Sequence, residues 1–78
     1  MDFRQAISIE LLKHCRERGL TLPGLAARAG VPLSTLKNII SGQSANPGVL
    51  TLNALCGGLQ IPLSKLLSDA EKTAQGTD

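Results

Sequence analysis

Between Gly19 and Gly42 the chain spells two short helices with almost nothing to join them, and this most constrains what it can fold into. Thr21 is a good helix N-cap, and Pro23 falls in a first turn, where its missing N–H costs little. Leu25, Ala26 and Ala29 supply one inward face before Gly30 closes the segment. Pro32 then starts a second segment, predicted over about residues 32–41. In it Leu36, Ile39 and Ile40 recur at helical spacing until Gly42 stops the run.

A chain of 78 residues has room for one domain and one small core, because domains of this size bury only about 60% of the surface their unfolded chains expose. Phe3 is the only aromatic residue, so that core must be built from Leu, Ile, Val and Ala. No apolar run approaches the ~20 residues that span a bilayer. The start of the chain, with Asp2 and Arg4 ahead of Ile7, does not read as a signal peptide, and a soluble, cytoplasmic protein is expected.

The flanks of the central pair are also helical. Ile7, Leu11 and Cys15, broadened by Ala6, Ile9 and Leu12, predict a first helix from Ala6 to Arg18, capped by Gly19 in a left-handed conformation. Gln43 to Gly48 is dense in turn formers and reads as a loop. Val49, Leu52, Leu55, Cys56 and Leu59 form a fourth stripe, but Gly57 and Gly58 each weaken a helix interior by roughly 1 kcal/mol, so this helix is expected to end early or fray. A last short helix opens at Pro62 with Leu63, Leu66 and Leu67 inward. The domain is taken as residues 1–67, and residues 68–78, polar and without periodicity, are expected to be a frayed tail.

Residues 3 to 67 carry seven Lys or Arg against Glu10 and Glu17, an excess that suits a polyanionic partner. Cys15 and Cys56 are far apart, with no CxxC pair and only His14 as a nearby nitrogen ligand. They are expected to be reduced core thiols rather than a zinc or disulfide framework. His14 itself is expected to be a half-buried packing residue. No nucleophile–base pair, paired carboxylates or phosphate-cradling glycine loop occurs, so neither an enzyme nor a cofactor is expected.

Two short helices around a tight glycine turn, with a supporting helix on each side, are the pattern of a helix-turn-helix. At the level of residues, Arg18-Gly19-Leu20-Thr21, Leu25-Ala26, Ala29-Gly30-Val31, Ser34-Thr35-Leu36, Ile39, Gly42, Asn46-Pro47, Thr51-Leu52, Leu55 and Ile61-Pro62-Leu63 resemble the Cro/phage-repressor (XRE-type) family, ungapped from about residue 9 to residue 67. The resemblance implies an all-α, lambda-repressor-like DNA-binding domain of five short helices, with helix 3 in the major groove of double-stranded DNA, usually as a homodimer. It places Leu33, Ser34 and Asn38 at base edges with Lys37 beside them, and makes Thr35, Gln43, Ser44 and Asn46 candidates for phosphate contacts. The chemistry is apt. Asn pairs bidentately with adenine, Lys favours guanine, Ser both donates and accepts, and Leu packs on a thymine methyl. Without the resemblance, Ser34, Lys37 and Asn38 read as the solvated face of a helix.

Departures from the family pattern carry their own expectations. Leu22 and Leu33 stand where the family commonly has a polar pair, and Cys15 and Ile40 where it often buries an Arg–Glu ion pair. Joint replacement of a buried ion pair by apolar groups is often neutral or stabilising, so Cys15 is expected to contact Ile40, and Leu22 to contact Leu33. Pro23-Gly24 replaces a usual acidic pair, and Pro32 a capping hydroxyl that also touches phosphate. A weaker or unusually hydrophobic reader is expected. On helix 4, Leu50, Asn53, Ala54 and Gly57 are placed outward as a dimer or partner surface. The rival reading is a protein-interaction module that keeps the fold and has lost tight DNA binding.

Overall fold

A computed structural model of the chain describes residues 1–43 and 46–76. Its regular elements are α1 (Phe3–Glu17), α2 (Leu22–Ala29), α3 (Leu33–Ser41), α4 (Val49–Leu59) and α5 (Leu63–Gln75), with no strand among the described residues. The fold is all-α, as the hydrophobic periodicity predicts.

The punctuation acts as local chemistry requires. The Asp2 carboxylate accepts the Arg4 N–H at 2.9 Å, so α1 starts at Phe3 rather than at Ala6. Thr21 Oγ1 accepts the Gly24 N–H at 3.1 Å and caps α2. Gly30, at φ 69°, and Gly42, at φ 81°, close α2 and α3 in the left-handed region, which glycine enters without steric cost.

α1 packs against α3 and α5, α2 against α3 and α4, and α4 against α5. Leu11, Leu25, Leu36, Leu55, Leu59 and Leu66 are fully buried at the centre, so every helix contributes a leucine to one core. Cys15 and Cys56 are buried free thiols, and burial pushes both above the ordinary thiol range, with the Arg18 charge partly opposing it at Cys15. Leu22, Leu33 and Ile40 are half-buried and pack against this core.

Three expectations are corrected. First, α4 runs unbroken through Gly57 and Gly58 to Leu59. Gly58 is buried against α2, where a Cβ would lie 3.0 Å from Leu25 Cδ1 and 3.3 Å from the Ala29 backbone nitrogen. The glycine that weakens the isolated helix is what lets the two helices approach. Second, α5 does not stop near Ser68 but continues to Gln75, with Ala70 fully buried. Third, α1 buries Ser8, Glu10 and His14, while Ile9 is 40% exposed.

The length of α5 and the burial of Glu10 and His14 share a cause, a polar seam between α1 and α5, whereas Ser8 is buried against α3. Thr73 Oγ1 donates to Glu10 Oε2 at 2.6 Å, and His14 Nε2 lies 3.2 Å from Asp69 Oδ2. Arg18 Nη1 sits 3.1 Å from His14 Nδ1, while its Nε donates to the Leu59 carbonyl at 2.7 Å. A guanidinium can only donate, so Nδ1 accepts and the imidazole proton resides on Nε2, facing Asp69. Burial alone would raise the Asp69 carboxyl, but hydrogen bonds from Lys65 and His14, with the Lys65 charge, hold it below the ordinary carboxylate range.

Candidate nucleic-acid interface

α3 is amphipathic in the way a reading helix needs. Leu36 and Ile39 are buried, while Ser34, Lys37 and Asn38 are exposed. These three share one side of the helix, because residues three and four apart are neighbours on its surface. No hydrogen bond or ion pair among the described residues engages their side chains. Leu33 stands beside them but is half-buried, so only part of it reaches the surface.

No side chain caps the α3 N-terminus, where Pro32 is the N-cap. The amides of Leu33, Ser34 and Thr35 thus have no side-chain acceptor and point out of the positive end of the helix, an arrangement that favours an anion. The α2 N-terminus offers less, since Pro23 has no N–H and the Gly24 amide is taken by Thr21. Thr35 is half-buried, and Gln43 and Asn46 are exposed beyond the end of α3. Ser44 lies outside the described residues.

The sequence reading misses two residues of this neighbourhood. Ser41 is exposed, four residues after Lys37 and three after Asn38, with its hydroxyl donating to the Asn38 carbonyl at 3.2 Å. The helical spacing alone could have found it. Ser8, on α1, donates its hydroxyl to the Ile39 carbonyl at 2.9 Å while almost completely buried. A lone serine in an apolar stripe gives no signal of that pairing.

Charge at the surface is not uniform in availability. Arg4 pairs with Asp2, Lys65 with Asp69, and Arg18 is occupied by His14 and Leu59. Lys13, Arg16, Arg28 and Lys37 are exposed and have no partner among the described residues, so these are the cations left to meet a polyanion. For a metal, the described residues bring together Glu10, His14 and Asp69, whose ligand atoms lie within 4.8 Å of one another. In the structure atoms of all three are already engaged, Glu10 Oε2 by Thr73, His14 Nδ1 by Arg18, and Asp69 Oδ2 by His14 and Lys65.

Two short helices joined by Gly30, Val31 and Pro32, with an unengaged polar face on the second, define a helix-turn-helix domain. The helix-turn-helix family model matches residues 10–66. The chain is 31% identical over 77 residues, 99% of both chains, to an uncharacterized HTH-type transcriptional regulator, y4dJ, of Sinorhizobium fredii. Its fold is similar to the crystal structure of the clp gene regulator ClgR from C. glutamicum, with TM-score 0.82 over 94% of each chain at 22% identity. The chain belongs to the helix-turn-helix family, in its Cro/phage-repressor (XRE) type.

Proposed function

We propose that this chain is a DNA-binding transcriptional regulator that lays α3 in the major groove of double-stranded DNA. The observation that carries the reading is the exposed, unengaged face of Ser34, Lys37 and Asn38 on the second helix of the motif. In this reading Asn38 and Ser34 hydrogen-bond base edges, Lys37 reaches guanine or a phosphate, and the exposed part of Leu33 packs on a thymine methyl. Thr35, Gln43, Ser44 and Asn46 set the register on phosphates, joined by the free amides at the start of α3.

Regulators of this type usually act as homodimers on two-fold symmetric sites, and the reading extends to this chain. Leu50 is 83% exposed and Val49 60% exposed at the start of α4, an apolar pair suited to a second copy. No helix among the described residues is long and apolar enough to cross a membrane, and the reading places the protein with its DNA in the cytoplasm. The rival reading, a module that binds protein instead of DNA, draws on Leu22 and Leu33. Both pack against the core, which leaves little of that patch for a partner.

Fluorescence anisotropy with random-sequence duplex DNA over a salt series tests the proposal. Binding that weakens steeply as salt rises is expected, because neutralised phosphates release counterions. No binding near micromolar protein at low salt would sink it. Sedimentation of the free and DNA-bound protein decides the dimer.

A further inference from the structure

The reading helix is held by one polar contact that the helix-turn-helix itself does not supply. α3 has nine residues, no side-chain cap at its N-terminus, and in its last turn Ile40, which packs against the core through apolar contact alone. Among the described residues, the only side-chain hydrogen bond that joins α3 to another element runs from the Ser8 hydroxyl to the Ile39 carbonyl, at 2.9 Å. Ile39 is in the last turn of α3, where carbonyls lack intrahelical partners. It also accepts the Gly42 N–H, at 3.3 Å, so the serine completes the second of its two acceptor positions. Ser8 is 8% exposed and lies within α1, away from the exposed face of α3.

We infer that Ser8 is a positioning residue for DNA reading: it sets the rotation of α3 about its own axis and thereby aims Asn38 and Lys37. The physical case is one of directionality. The apolar contacts of Leu36 and Ile39 hold α3 against the core, but hydrophobic burial is non-directional and tolerates a small roll of the helix. A hydrogen bond is directional, and base-edge contacts demand placement within about 0.5 Å and 10–20°. Ile39 directly follows Asn38, so a constraint on the Ile39 carbonyl acts next to the reading side chain. This inference rests on the proposed reading of DNA by α3, and the test separates the two.

Ser8→Thr and Ser8→Val have the same shape and differ in the hydroxyl alone; Ser8→Ala removes the group with least steric change. Each is compared with the unaltered chain on two duplexes, one selected by that chain from a randomised pool and one of random sequence. Backbone amide exchange across α3 is followed in parallel without DNA. S8A and S8V are expected to lose about tenfold in affinity for the selected duplex, with less than a twofold change on random duplex. S8T is expected to restore the selected-site affinity, and the α3 amides to exchange faster in S8V than in S8T. Equal loss on both duplexes, or full selected-site affinity in S8A, overturns the inference. If the unaltered chain binds no duplex, the DNA reading fails by itself, and the exchange comparison still decides Ser8: equal α3 exchange in S8V and S8T overturns it.

Discussion

His14 Nε2 stands 3.2 Å from Asp69 Oδ2, which fastens the last turn of α1 to the half of α5 whose polar composition alone suggests a tail. Around it, Thr73 closes on buried Glu10 and Arg18 reaches from His14 to the end of α4. The C-terminal half of α5 is therefore part of the domain. A chain truncated after Ser68 would lose Asp69, Thr73 and buried Ala70, leaving Glu10 and His14 without their α5 partners. It is expected to be less stable by about 2 kcal/mol or more, a drop on the order of 10 °C in Tm for a domain this small. Equal thermal melts for the truncated and full chains would refute this.

The depressed Asp69 carboxyl gives the domain an acid-dependent stability with a definite sign. A carboxylate whose pKa is lower folded than unfolded stabilises above its unfolded value, about 3.9, and loses that contribution as pH falls through the folded value. Asp69→Asn should thus be less stable than the parent between about pH 5 and 7 and converge on it at about pH 2. Chemical denaturation at the two pH values measures the gap, and a gap that persists undiminished in acid contradicts the assignment.

The two adjacent glycines of α4 should respond oppositely to alanine. Gly57 faces open space, so Gly57→Ala is expected to stabilise by about 0.5 to 1 kcal/mol through helix propensity alone. Gly58→Ala forces a methyl against Leu25 and the Ala29 backbone, and should cost about 1 to 3 kcal/mol. Urea midpoints of the two variants falling on the same side of the parent would show the α2–α4 approach to be wrong.

On DNA, Asn38→Ala and Lys37→Ala should separate reading from positioning on the backbone. The first is expected to cost about 1 to 3 kcal/mol and to relax preference at one base position. If Lys37 contacts a phosphate, its loss weakens binding to all sequences and flattens the salt dependence by about one unit of slope. Binding profiles over a library of single-base variants of the selected site distinguish these outcomes.

Cys15 and Ile40 offer a test of the apolar replacement. Cys15 is 3% exposed and Ile40 packs against the core, so Ile40→Glu alone introduces a carboxylate without a counter-ion and should destabilise by about 3 kcal/mol. Adding Cys15→Arg should return part of that loss. A double variant whose stability is the plain sum of the two single changes places these side chains apart.

Much of the fold is legible in the residues themselves. Helix ends were set by local chemistry at Thr21, Gly19, Gly30 and Gly42, and the buried leucines follow the 3.6-residue period, because both depend on interactions a few residues away along the chain. The exposed face of Ser34, Lys37 and Asn38 is legible for the same reason: once Leu36 and Ile39 point inward, helical geometry turns those three outward. What the tertiary structure alone decided lies where two elements meet. Gly58 reads as a helix breaker until α2 lies against it, Glu10 reads only as a charge and His14 as a packing residue until α5 covers them, and Ser8 is an ordinary polar residue until the Ile39 carbonyl arrives beside it. In each case the partner is distant in sequence, and a polar or missing side chain has no periodic signature to announce it. The hydrophobic pattern thus determined which helices form and which faces they bury, whereas close approach and directional hydrogen bonds, which exist only after packing, decided how far α5 extends and how the reading helix is held.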